Sequence, residues 1–101
     1  MAGYAFWWLH AQINACPAGA RLAIALPRAA VVHWGSGGWR NAADETTRDS
    51  GLSFHVAALD ATGLAPGERI EFTWQWQDTG AWHERTYEVA VVLAEDNSTG
   101  R

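Results

Sequence analysis

The chain has 101 residues, which is the length of one domain, and 49% of them are apolar, which excludes a disordered chain. Its net charge is −4 and its seven Lys and Arg residues are scattered, so we expect no nucleic-acid partner. No apolar run approaches the roughly 20 residues of a membrane helix, and we predict no membrane contact. The single cysteine, Cys16, excludes an internal disulfide and a cysteine-based zinc site.

Short segments in which apolar and polar residues alternate follow one another along the chain. They are residues 4–13, 21–26, 30–34, 52–59, 69–76 and 85–93. Alternation with a period of two is typical of strands with one buried face. Stretches rich in Gly, Pro, Asn and Asp separate these segments, and the longest, residues 41–51, is predicted to be a loop. The spacing predicts an all-β fold, an antiparallel immunoglobulin-like β-sandwich of six to eight strands.

We expect a single domain over residues 1–101. Residues 1–19 are predicted to form an N-terminal strand and loop, and residues 94–101 a flexible tail. In the segment RIEFTWQW, Trp74 and Trp76 share the parity of Ile70 and Phe72. This pattern predicts that at least one of the two indoles belongs to the core.

Two other tryptophans follow glycines in predicted turns. Trp39 ends GSGGW and Trp82 ends DTGAW. One interpretation is that each indole folds back to cover the end of the sandwich. The other is that they form an exposed aromatic platform, because a flat indole suits the apolar face of a sugar ring and loses little entropy on binding. Polar residues that could bind the sugar hydroxyls lie near both turns: His33, Arg40, Asn41, Asp78, His83 and Glu84.

The motifs HWGSGGW, ERIEFTWQW, QDTGAW and HERTYEVAV occur in this order between residues 33 and 91. Together they resemble the starch-binding carbohydrate-binding modules. More closely, residues 20–93 look like the C-terminal β-domain of bacterial glucoamylase-type enzymes of glycoside hydrolase family fifteen. The resemblance implies a ligand site in which His33 bonds a glucose hydroxyl while Trp39 and Trp82 stack on adjacent glucoses of a curved α-glucan.

The remaining chemistry-bearing residues form no recognisable catalytic or metal motif. Asp44, Glu45 and Asp49 cluster in the stretch 41–51, which we interpret as a solvated charged loop without the ligand pattern of a calcium site. The four histidines lack metal-site spacing, and we expect no metal or cofactor. No nucleophile motif appears, and a small sandwich has little room for a deep cleft, so we predict that the domain is not an enzyme.

We therefore expect a non-catalytic carbohydrate-binding module for α-glucans such as starch, glycogen or maltooligosaccharides. Its expected partners are the glucan and an attached glycoside hydrolase domain, which would place it outside the cell or in the periplasm. The alternative is a structural or interaction domain that packs on a catalytic domain or forms an oligomer without binding sugar. Exposure of Trp39 and Trp82 distinguishes the two hypotheses.

Overall fold

The computed structural model describes residues 3–93, which contain strands, turns and loops. The strands in chain order are β1 (Tyr4–Trp8), β2 (Ala15–Pro17), β3 (Arg21–Leu26), β4 (Ala30–Ser36), β5 (Arg40–Thr46), β6 (Arg48–Asp49), β7 (His55–Leu59), β8 (Arg69–Trp76) and β9 (Tyr87–Val92). They form a four-stranded sheet in the order β1-β3-β7-β6 and a five-stranded sheet in the order β2-β9-β8-β4-β5. In this range no helix has the length and apolar character needed to cross a bilayer.

The prediction of an all-β fold is confirmed, but the prediction of purely antiparallel sheets is wrong. Strand β1 runs parallel to β3, and β2 runs parallel to β9. Every other named strand pair is antiparallel, so both sheets are mixed. Parallel neighbours need a crossover connection. The chain makes one by leaving the first sheet after β1, adding β2 to the second sheet, and returning as β3.

Residues 41–51 are not the loop that their composition predicted. Residues 40–46 form β5, whose side chains are all exposed, and residues 48 and 49 form β6. Strand β5 lies at the edge of the five-stranded sheet and pairs only with β4, so backbone pairing sustains it without an apolar face. These strands and the short β2 bring the number among the described residues to nine, above the predicted six to eight.

Other predicted boundaries hold only in part. The segment 4–13 is a strand only as far as Trp8, and the segments predicted to begin at 52 and 85 become strands at His55 and Tyr87. The predicted tail, residues 94–101, lies outside the described residues.

The two sheets pack face to face around one apolar core. Alternate residues of β8 are buried there, as its period-two pattern predicted. In β3 the apolar residues of that pattern, Leu22, Ile24 and Leu26, belong to the core, and the alanines between them are buried as well. Trp74 is 0% exposed, which confirms that at least one of the two indoles of RIEFTWQW is core, while Trp76 is half-buried. The largest fully buried side chains are Trp7, Trp74, Phe72, Leu22, Ile24, Leu26, Leu59, Ile70, Val32, Val89 and Cys16.

The outer face of the five-stranded sheet carries a row of polar side chains. His33 of β4 lies between Asp44 of β5 and Thr73 of β8 in the strand register. Side chains of paired residues lie on the same face of a sheet. Because Val32 and Trp74 beside them point into the core, these three side chains point away from it. Two loops, residues 37–39 and 77–86, fold against this face.

Candidate functional site

His33 and Asp44 form the polar centre of the candidate site. The Nδ1 atom of His33 lies 2.6 Å from Oδ1 of Asp44, which the sequence had placed in a solvated loop. A carboxylate only accepts hydrogen bonds, so Nδ1 carries a proton and donates it. This bond orients the imidazole and leaves Nε2 as the ring nitrogen able to pair with a ligand hydroxyl.

The indole of Trp39 stacks on the imidazole of His33. Their ring centroids are 5.3 Å apart and their planes differ by 19°. The turn closes this tightly because residue 35 is glycine: a Cβ on Gly35 would lie 3.0 Å from the Cα of Trp39. The pairing of β4 with β5 is also irregular between Trp34 and Ser36, which bends the chain over the sheet.

A carboxylate that the sequence did not single out holds Trp39 in place. The backbone N–H of Trp39 donates to Oε1 of Glu71 over 2.7 Å. The N–H of Gly38 lies 3.0 Å from Oε1 and 3.1 Å from Oε2 of the same side chain. Trp39 has a φ of 69°, a left-handed conformation that costs a bulky residue about 1–3 kcal/mol and persists only when its surroundings enforce it. We infer that Glu71 presents the Trp39 indole.

Replacing Glu71 by alanine should therefore release the turn. We expect the loss of bonds to a charged acceptor to lower the free energy of unfolding by about 1.5–3 kcal/mol, near the low end because the carboxylate is partly solvated. We also expect weaker binding of any ligand that stacks on Trp39. Urea denaturation and ligand titration measure the two effects. Glu88→Ala is the matched control, because Glu88 is the cross-strand neighbour of Glu71; equal behaviour of both variants would contradict the role of Glu71.

The second loop brings Trp82 next to His33. Gln75 Nε2 donates to the carbonyl of Gly80 over 2.8 Å, and Thr73 Oγ1 donates to that of Arg85 over 3.0 Å. These outward side chains of β8 hold residues 77–86 against the sheet. The indole of Trp82 stands nearly perpendicular to the His33 ring, at 86° and 6.2 Å between centroids, and its residue is 54% exposed.

The structure thus brings together three of the predicted site residues: His33, Trp39 and Trp82. Trp39 is half-buried and Trp82 is exposed, and both rings lie next to His33, whose side chain is on the outer face of the five-stranded sheet. Arg40 is exposed and its Nε bonds the carbonyl of Gly37. The predicted residues Asn41, with a φ of 55°, and Glu84 are also exposed.

His83 packs towards the core instead of towards His33. Its ring stacks on Trp74, with centroids 4.1 Å apart, and its Nε2 lies 3.1 Å from the hydroxyl of Tyr87. Burial lowers the pKa of His83 below its ordinary value; the Glu84 carboxylate opposes this shift and the Arg85 guanidinium adds to it. The folded state therefore favours the neutral imidazole.

Acidification should consequently destabilise the fold through His83. A lowered pKa means that the unfolded chain binds the proton first, so stability falls as the pH drops through the unfolded value of about 6.5 and below it. We expect the urea midpoint to fall between pH 8 and pH 5, and to fall less in His83→Gln. His10→Gln, at an exposed position, is the control. The same pH dependence in His83→Gln and wild type would show that other groups cause it.

Within residues 3–93 no group of three or more His, Cys, Asp or Glu side chains is arranged to hold a metal ion. The chain matches no protein-family model, and neither the curated proteins nor the solved structures provide a similar protein. Function is therefore inferred from the geometry around His33.

Proposed function

We propose that this domain is a non-catalytic module that binds α-glucans such as starch, glycogen or maltooligosaccharides and holds an attached hydrolase near them. The observation that carries the proposal is the pair of indoles around His33. Trp39 is nearly parallel to the imidazole and Trp82 nearly perpendicular to it, so the two indoles are steeply inclined to each other. Consecutive glucoses of an α-1,4-glucan are turned relative to each other, and inclined surfaces suit such a curved chain.

The polar surroundings support sugar binding. Sugar rings have apolar faces and hydroxyl edges, and ligand sites combine aromatic surface with a few well-placed polar groups. Here the His33 imidazole, oriented by its bond to Asp44, lies next to both indoles. On a polymer, the benefit to an attached hydrolase comes from a raised effective concentration rather than from tight binding at one site.

The engagement of the nearby carboxylates supports a non-catalytic role. Glycoside hydrolysis generally uses two carboxyl groups, one on each side of the scissile bond. At this site Asp44 is bonded to His33, and Glu71 is bonded to the backbone of the Trp39 turn. Both carboxylates thus serve to position other groups. The immunoglobulin-like class is part of the same proposal and rests on two sheets that pack around one core in a domain of this size.

Calorimetric titration of the domain with maltohexaose and cellohexaose tests the proposal. We expect the α-linked hexamer to bind more tightly, because the flatter β-linked chain cannot place successive rings on both inclined indoles. Equal affinity for the two hexamers, or no binding of maltohexaose, would contradict it.

A second candidate function, an interaction domain, is favoured by an aromatic stripe on the outer face of the four-stranded sheet. Tyr4 and Phe6 are 54% and 58% exposed, and Trp8 continues their parity along β1. Phe6, Trp8, Ala25 and Phe54 line an apolar depression of about 310 Å³. Exposed apolar patches often mark protein contacts. Sedimentation velocity tests the oligomeric form of this function: an oligomer that dissociates in Phe6→Ser would support it, and a monomer at all concentrations would contradict it.

A further inference from the structure

A shallow depression of about 300 Å³ adjoins the candidate site and shares Trp82 with it. This volume lies at the small end of the range for ligand pockets, about 300–1,000 Å³. The depression is lined by Trp76, Ala81, Trp82, His83, Glu84 and Arg85. Unlike the apolar depression beside Phe6 and Trp8, it has both aromatic and charged walls.

Trp76 provides a fixed aromatic surface in this depression. The guanidinium carbon of Arg28 lies 4.2 Å from its ring centroid and covers one face of the indole, and Asp78 holds that guanidinium through an ion pair of 3.2 Å. The backbone N–H of Trp76 donates to the carbonyl of Ala81 over 2.9 Å, which ties the end of β8 to the Trp82 loop. An aromatic surface that is already immobile binds a ligand at a lower entropic cost.

Glu84 and Arg85 provide hydrogen-bonding groups at the same place. Both residues are exposed, and within residues 3–93 neither forms an ion pair, although the guanidinium carbon of Arg85 lies 5.5 Å from the ring centroid of Tyr87. A carboxylate accepts bonds from hydroxyl groups, and a guanidinium donates bonds to their oxygens. Indole surface with an adjacent donor and acceptor is the combination that a sugar ring requires.

We propose that this depression is a further sugar subsite, which adjoins the pair of indoles around His33 at Trp82. This proposal rests on the proposed α-glucan function. It adds that the length of the glucan chain affects its affinity for the domain. Two glucoses occupy Trp39 and Trp82, and the next unit of the same chain reaches the depression, where Trp76 contacts its ring and Arg85 and Glu84 bind its hydroxyls. The module therefore selects linear α-glucans longer than a disaccharide.

Titrations of wild type, Arg85→Ala and Glu84→Gln with maltose and maltohexaose test the subsite. We expect wild type to bind the hexamer more tightly than maltose. Arg85→Ala should lower the affinity for maltohexaose about tenfold, as expected for loss of a bond to a charged group, and leave the affinity for maltose unchanged. Glu84→Gln keeps one acceptor and should have a smaller effect in the same direction. Arg21→Ala, which removes the same charge from the other sheet, is the control, and melting curves verify that all variants fold.

The outcomes separate the subsite from the function on which it rests. If wild type binds neither sugar, both are overturned. If it binds maltose and maltohexaose equally, or if Arg85→Ala weakens both sugars by the same factor, the subsite is overturned while α-glucan binding stands. If Arg21→Ala lowers the affinity for maltohexaose as much as Arg85→Ala does, the effect comes from the change in net charge. That result would also overturn the subsite.

Discussion

Trp74→Ala is expected to unfold the domain or to bring it close to unfolding. Trp74 is 0% exposed, and its indole stacks on the rings of His83 at 4.1 Å and Tyr87 at 5.6 Å. The Trp7 ring packs against it edge-on at 5.8 Å. Truncating a buried Trp to Ala costs about 3–5 kcal/mol. The free energy of unfolding of a whole domain is only about 5–15 kcal/mol, so this loss is a large fraction of it.

The Trp74 prediction is checked by urea denaturation with Trp74→Phe as the matched control. The indole Nε1 of Trp74 is buried without a hydrogen-bond partner. Phenylalanine removes that unsatisfied donor and keeps an aromatic ring, so we expect most of the stability to remain. Trp76→Ala should cost less than Trp74→Ala because Trp76 is half-buried. A wild-type denaturation midpoint in Trp74→Ala would contradict the assignment of this indole to the core.

Alternation of apolar residues allowed the core to be predicted from the sequence, because the period of two directly reflects one buried face. This succeeded for β8, whose inward residues are buried and whose outward residues are not. In β3 it identified the core residues, but the alanines on the other face are buried too. It failed for β5, whose side chains are all exposed, so that no alternation marks it. Strand direction could not be predicted either. Alternation is the same in parallel and antiparallel neighbours, and the crossover through β2 depends on which sheet that short strand joins.

The candidate site was predictable to the extent that local sequence determines it. Glycines before Trp39 and Trp82 indicated surface turns, and the parity of His33 indicated an outward side chain. Glu71 was missed because its bonds to the Trp39 turn join residues more than thirty positions apart in the chain. Its one local signal is its outward position on β8, opposite Gly35 in the register. His83 follows the end of β8, where alternation no longer indicates which way a side chain points.

Removing the indoles of Trp39 and Trp82 is expected to abolish measurable binding of maltohexaose. Truncating a Trp at the centre of a binding surface typically costs about 2 kcal/mol or more, which is roughly a thirtyfold loss of affinity for each single variant. The fold should suffer less in Trp82→Ala, because Trp82 is 54% exposed and its truncation removes little buried surface. Trp39→Ala also removes the ring that stacks on His33, so a moderate loss of stability accompanies the loss of binding.

Calorimetric titration with maltohexaose, together with a melting curve for each variant, separates loss of the ligand surface from loss of the fold. Trp8→Ala is the matched control, because Trp8 is also a half-buried indole but lies on the outer face of the other sheet. If the platform binds the glucan, Trp8→Ala retains the wild-type affinity while Trp39→Ala and Trp82→Ala lose it. If all three variants bind alike, or if Trp82→Ala melts as low as Trp74→Ala, the indoles around His33 do not form the glucan-binding surface and the prediction is wrong.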